Sequence, residues 1–180
     1  MNLNFTPVSV EMILFLTFCF AALLQLIYFY FFYVRVAFYK RKTFNHSLPP
    51  ASIIICAKNE DHNLNNYLPF VLEQDYPEFE TVVVNDCSFD NTADMLKELG
   101  KKYPHLRILT IKEDDYYSHG KKFAVMIGIK GAKYEHLLLT DADCKPANNQ
   151  WLKNMMRNYS DETEIVIGYG AYEKLPGFLN

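Results

Sequence analysis

At 180 residues and a formal net charge of −3, the chain lacks the basic excess that binding a phosphate backbone requires, so nucleic acid is not expected as its main partner. Half of the residues are hydrophobic and 16% are aromatic, which is apolar for a soluble protein, and the excess is concentrated near the start. The four cysteines, Cys19, Cys56, Cys87 and Cys144, have neither C-x-x-C spacing nor a histidine at zinc-ligand spacing; free thiols in a reducing compartment are expected.

The first element is an apolar run over residues 12–34 with no charged residue and Gln25 as its main polar interruption. As a helix it would span roughly 34 Å, enough for a hydrocarbon core of about 30 Å. The preceding stretch, MNLNFTPVSVE, has no Lys or Arg, and no small-residue cleavage site follows the run. A retained membrane anchor is therefore expected rather than a signal peptide. Arg35, Lys40, Arg41 and Lys42 follow directly. By the positive-inside rule the N-terminus lies outside and the remainder in the cytoplasm, a single-pass inner-membrane arrangement. Tyr28, Tyr30, Phe31, Phe32 and Tyr33 suit an interfacial aromatic belt. The expected division is a short extracytoplasmic segment 1–11, a transmembrane helix 12–34, a basic juxtamembrane linker 35–50 and one domain over 51–180.

After Pro49-Pro50, which discourages helix, strand and helix signals alternate. Residues 52–56 (SIIIC) read as a buried strand and 63–73 as a helix stopped by Tyr76-Pro77. Residues 80–84 (ETVVV) read as a second strand. Asp90 suits the cap of a helix over 91–99, with Gly100 in the terminating position. Residues 106–111 form a third strand, followed by a polar loop, KEDDYYSHG. A helix over 121–132, a strand over 136–140, a helix over 150–159 and a fifth strand over 164–169 complete the pattern. Such alternation predicts an α/β fold, a mostly parallel sheet with helices on both faces.

The chemistry centres on LLLTDADC at 137–144. Three leucines and a threonine read as a buried strand, and ligands of open α/β sheets bind just past the carboxyl ends of strands. Asp141 and Asp143, at i and i+2, can point the same way from extended chain. Two unpaired carboxylates repel, so the pair invites a hard cation, Mg²⁺ or Mn²⁺, which in turn suits a diphosphate. The same residues also read as a surface turn or a helix cap. Polar groups at two other strand ends, Asn59-Glu60 and Asn85-Asp86, favour a ligand site: a sheet can close its turns without acids at three carboxyl ends.

Together PPASIIICAKNE, VVVNDCSFDNT and GKKFAVMIGIKGAKYEHLLLTDADCKPANNQWL resemble the inverting family-2 glycosyltransferases, which carry the GT-A, Rossmann-like nucleotide-sugar fold. The three pieces cover nearly all of 49–152 in matching order and spacing, and GYGAYEKLPGFLN is similar to the segment that follows in membrane-associated members. The resemblance implies a hexosyltransferase-type, metal-dependent enzyme of polysaccharide biosynthesis, moving sugar from a UDP-sugar to a lipid-linked or polysaccharide acceptor. It implies that Ala57 and Glu60 cradle the nucleotide, that Asp86 contacts base or ribose, and that Lys121 approaches the phosphates. Asp141 and Asp143 match the D-x-D that holds the diphosphate through Mg²⁺ or Mn²⁺. The chain has Asn85-Asp86 where many members have Asp-Asp, and Met126 where Asn is frequent. The family's acceptor half, with its general base, is not among these residues, so the domain reads as incomplete and no residue is nominated as base; Glu173 reads as a surface charge.

Two rival functions follow. A sugar-nucleotidyltransferase also places acids at strand ends, but CAKNEDHN lacks the glycine-rich phosphate loop that it needs. A catalytically incomplete nucleotide-sugar-binding remnant or subunit fits the missing base. Among other candidates, His119 is the one histidine worth testing, Asp114 and Asp115 read as a solvated loop, and Trp151 as a core anchor under the D-x-D loop.

Overall fold

The computed structural model describes residues 9–38, 48–112, 120–159 and 163–171. The chain divides into two compact units, Met1–Lys42 and Thr43–Asn180. The loop 113–119, with Asp114, Asp115 and His119, lies outside the described residues, as do Lys40, Arg41, Lys42 and Glu173.

The first unit holds one helix, α1 (Val10–Ala37), long and apolar enough to cross a membrane and with no buried residue. At 1.5 Å per residue it extends about 42 Å. It is longer than the uncharged run because its ends tolerate charge. Glu11 lies in the first turn and Arg35 in the last, each complementing the helix dipole. The Ser9 hydroxyl caps the start by accepting from the Met12 N–H at 3.3 Å. Aromatic pairs at i, i+4 line the C-terminal half, with Tyr28–Phe32 centroids 4.6 Å apart and Phe29–Tyr33 4.5 Å apart.

The second unit is built on β1 (Ala51–Ala57), β2 (Phe79–Asp86), β3 (Leu106–Ile111) and β4 (His136–Asp141), all parallel, in the order β3-β2-β1-β4. The β-branched runs of β1 and β2 are buried on both faces, as a central parallel pair requires. Helices α2 (Asp61–Leu72), α3 (Thr92–Lys102) and α5 (Trp151–Met156) pack on one face, where Leu64, Leu68, Leu96, Leu152 and Met156 meet Ile53, Ile55 and Val83. Helix α4 (Lys121–Gly131) covers the other face through Ala124 and Ile127 against Val82 and Val84. A Cβ on Gly128 would lie 2.6 Å from Ile54 Cγ2, so the missing side chain is what lets α4 lie close to the sheet. This is the parallel sheet with helices on both faces that the alternation predicts.

Helix α2 starts at Asp61, two residues earlier than expected, and three larger departures from expectation have local reasons. Gly100 does not end α3. It packs against Ile108 on β3, and the helix runs on to Lys102, with Tyr103 anchored by its hydroxyl donating to Glu73. Helix α5 is shorter than 150–159, its end tightening into i→i−3 bonds from Asn158 and Tyr159. Residues 164–169 form no strand. Their alternation is real, but Ile165, Ile167 and Tyr169 are 78%, 89% and 94% exposed, and among the described residues no neighbouring strand pairs with them to supply the hydrogen bonds that extended chain needs.

Candidate active site

The sheet order reverses between β1 and β4. β1, β2 and β3 step one way, whereas β4 joins the opposite side of β1. Such a switch point leaves a crevice beyond the carboxyl ends of its two strands. A cleft of about 280 Å³ opens there, lined from β1 by Cys56, Ala57, Lys58 and Glu60, and from β2 by Asp86. The start of α4 adds Gly120, Lys121 and Ala124, and the end of β4 adds Asp141, Ala142 and Asp143. All six residues singled out from the sequence (Ala57, Glu60, Asp86, Lys121, Asp141 and Asp143) therefore share one cleft.

Local structure explains how each is presented. Ala142 is buried in the main core, so its neighbours Asp141 and Asp143 are left on the outward side, both exposed. The turn closes with the Cys144 N–H donating to the Asp141 carbonyl at 3.2 Å. Asp86 ends β2 and is only 3% exposed, a carboxylate at the floor of the cleft.

The two neighbouring βα loops are knitted to each other. Asn59 has φ 57° and Cys87 φ 49°. Asn tolerates the left-handed region, and for Cys87 the loop must impose it. Asn59 Oδ1 accepts from the Phe89 N–H at 2.8 Å, and Ser88 Oγ accepts from the Asn59 N–H at 3.0 Å. Thr92 Oγ1 accepts from the Glu60 N–H at 3.2 Å, and Asn63 Nδ2 donates to Glu60 Oε2 at 2.7 Å.

Asp90 ties two helix starts, accepting from the Asp61 N–H and the Thr92 N–H, each at 3.1 Å. Desolvation pushes its carboxyl up, but the bonds from Thr92 and Asp61 outweigh that and leave its pKa below the ordinary value. Asp90→Ala is expected to cost about 1 kcal/mol at pH 7, the usual worth of a cap. A depressed carboxylate contributes stability above its unfolded pKa and loses it as pH falls through the folded one. The difference between wild type and variant in urea unfolding should therefore shrink from pH 7 toward pH 3.

Charge in the cleft is mixed. Lys121 Nζ sits 2.8 Å from Asp141 Oδ1. That hydrogen bond raises the lysine pKa, outweighing desolvation, and electrostatic attraction to Asp141, Cys56 and Asp143 adds in the raising direction. The ammonium is thus charged throughout the neutral range. Burial pushes the Cys56 thiol up, Lys121 pulls it down, and Asp141 and Asp86 push it up again, so the net shift favours the thiol over the thiolate. Cys56 lines the cleft as a small neutral wall.

Among the described residues no group of three His, Cys, Asp or Glu side chains is arranged to hold a metal alone. Asp141 and Asp143 nevertheless fit a cation that shares its coordination with a ligand. Mg²⁺-type sites use one or two carboxylates, with phosphate oxygens and waters completing the shell.

Sequence reading did not find the Lys121–Asp141 pair, nor Cys56 and Lys58 as lining residues. The pair depends on which strand borders β1. The lining residues follow from the alternation of β1, which sends Ile55 to the core and Cys56 to the opposite side. Trp151 packs partly buried against the main core, as an anchor would.

The family model for "Glycosyl transferase family 2" matches residues 52–177. The chain belongs to glycosyl transferase family 2. That match takes in β2, β3, β4, all of β1 but its first residue, and every lining residue of the cleft, and leaves α1 outside it.

Among relatives in the family, poly-β-1,6-N-acetyl-D-glucosamine synthase of Staphylococcus epidermidis is 33% identical over 115 residues, covering 59% of this chain and 27% of the relative. Glycosyltransferase AglE of Haloferax volcanii is 32% identical over 124 residues, covering 68% of this chain and 39% of AglE. The mannosyltransferase PcManGT of Pyrobaculum calidifontis, solved with GDP-Man and Mn²⁺, superposes with a TM-score of 0.60 at 26% identity, covering 74% of this chain and 40% of that one. TarS of S. aureus, in complex with UDP-GlcNAc, gives a TM-score of 0.50 at 28% identity, covering 58% of this chain and 29% of that one. The chain spans about a quarter to two fifths of the length of the curated relatives it matches.

Proposed function

We propose that residues 51–180 form the donor-binding domain of a glycosyltransferase that moves sugar from a nucleotide-sugar, a UDP-sugar first of all, to a lipid-linked or polysaccharide acceptor. The observation that carries this reading is the convergence of carboxylates from three separate βα turns, Glu60, Asp86 and Asp141/Asp143, on one switch-point cleft. Family membership and the nucleotide-sugars in PcManGT and TarS support it.

In this reading Ala57 and Glu60 border the nucleotide, and Asp86 on the floor accepts from base or ribose. Asp143, with Asp141 beside it, holds Mg²⁺ or Mn²⁺. When bound, that cation supplies Lewis-acid stabilisation of the leaving diphosphate. Asp141 keeps Lys121 oriented at the mouth of the cleft, where its fixed positive charge meets charge developing on the phosphates. Removing the acceptor proton needs a base within hydrogen-bond reach. The carboxylates lining the cleft all have roles on the donor side, so the base is assigned to none of them.

Helix α1 serves as a single-pass anchor over about 12–34, with 1–11 outside, a basic linker over 35–50 and the catalytic domain in the cytoplasm. This places transfer beside a membrane-held acceptor. A second reading is a nucleotide-sugar-binding subunit without transfer of its own: among the described residues the carboxylates lining the cleft are all taken up on the donor side, none being left to act as base.

Calorimetric titration of the full chain in detergent with UDP-sugars, with and without Mn²⁺, tests both. The expected result is micromolar binding that requires Mn²⁺, and no binding by the folded protein removes both readings. Release of UDP on incubation supports the enzyme, whereas binding without release supports the subunit.

A further inference from the structure

Gln74, just after α2, is 6% exposed, an uncommon depth for an amide. All of its hydrogen bonds go to backbone. Nε2 donates to the Phe70 carbonyl at 2.9 Å and to the Asn148 carbonyl at 3.0 Å, and Oε1 accepts from the Leu152 N–H at 2.9 Å. Leu152 lies in the first turn of α5, whose own cap residue, Gln150, makes no side-chain cap bond. Gln74 therefore caps α5 from another element and grips the loop before it.

The next residue continues the grip. The Asp75 N–H donates to the Asn149 carbonyl at 2.8 Å, and Gln150 Nε2 donates to Asp75 Oδ2 at 2.6 Å. Lys145 Nζ rests 4.3 Å from the centroid of the Phe70 ring. Apart from the bond to Phe70, which fixes the amide on α2 itself, these contacts fasten residues 145–152, the chain leading out of Asp143, to the C-terminal end of α2.

That segment needs fastening. Residues 143–145 and 147–149 are exposed, with Pro146 alone buried between them. An exposed loop with so few buried contacts opens at little free-energy cost. Before Asp143 the chain is fixed by buried Ala142; beyond it the fixing comes from buried Pro146 and from the Gln74 and Asp75 contacts, of which the Gln74 amide supplies the two most deeply buried bonds. Gln74 itself does not line the cleft.

We infer that Gln74 is a positioning residue for the donor site: by clamping the chain at Asn148 and Leu152, the far end of the loop that leads out of Asp143, it holds the Asp143 carboxylate where a metal-bound diphosphate is to be gripped. This rests on the donor-site reading above.

The test uses the full chain carrying Gln74→Met, which keeps volume and removes all three bonds, and Gln74→Glu, in which only the protonated acid can still donate to Asn148. In Gln74→Met, amide exchange over 143–150 should quicken while β1 and β2 stay protected. The Kd for UDP with Mn²⁺ should rise about tenfold, the usual scale for a group that orients a metal ligand. The Kd for UMP, which lacks the diphosphate, should stay within about twofold. In Gln74→Glu the UDP defect relative to wild type should deepen as pH rises and the acid ionises, a dependence that mere space-filling does not produce.

Faster loop exchange with unchanged UDP affinity overturns the inference, as does equal weakening of UDP and UMP or a defect that does not vary with pH. A wild-type chain that binds no nucleotide overturns the donor-site reading and this inference with it, and is recognised without any variant.

Discussion

Asp143→Ala is expected to abolish metal-dependent nucleotide binding while leaving the fold intact. The side chain is exposed and enters no ion pair among the described residues, Lys121 being engaged with Asp141. Its loss removes no buried contact, so the urea midpoint should stay near that of wild type. For binding the consequence is large. Residues that only orient a metal ligand cost about 10- to 100-fold when removed, so a ligand itself should cost at least about 100-fold in the Kd for UDP with Mn²⁺. What remains should be the weak binding that wild type shows in EDTA. Titration of both proteins with and without Mn²⁺ reads this directly. Equal affinity of variant and wild type in Mn²⁺ would remove Asp143 from the site.

Asp86→Asn should fail differently. Asp86 is 3% exposed at the carboxyl end of β2, and the amide preserves its shape while removing its charge. If its carboxylate accepts from base or ribose, the change exchanges a charge-assisted bond for a weaker one or for a clash of donors, a loss of about 2 kcal/mol. That corresponds to about a 30-fold weaker Kd. The distinguishing feature is that UDP should weaken by the same factor with Mn²⁺ and without it, because the contact lies on the nucleoside side. A defect confined to the Mn²⁺ condition would place Asp86 at the metal instead and break the division of roles between the two acids.

The sheet was legible because its strands are written in β-branched and leucine runs. SIIIC and ETVVV bury both faces, and the third strand spans 106–111 as expected; LLLT forms its strand but, at the sheet edge, buries Leu138 and leaves Leu139 53% exposed, so it is not covered on both faces as expected. Asp141 and Asp143 were legible as a pair because strand alternation turns Ala142 inward.

What could not be read depends on strand order and on side chains that act at a distance. Lys121 meets Asp141 only because β4 joins β1 and α4 begins above that edge. Gln74 looks, locally, like an ordinary residue after a helix; its partners are 74 and 78 positions away. The expected strand at 164–169 failed for the opposite reason. Its alternation is a local signal, but a strand exists only where a neighbour pairs with it.

Whether acids from three βα turns form one metal-bridged diphosphate site is tested most directly by NMR of the isotopically labelled chain with UDP and Mn²⁺. Paramagnetic broadening should be strongest at residues 141–143, with Mg²⁺–UDP shifting 57–60, 86–88 and 120–121 in the same titration. Broadening centred elsewhere, or shifts at Asp86 that saturate independently of those at Asp143, would mean that these residues do not share a ligand.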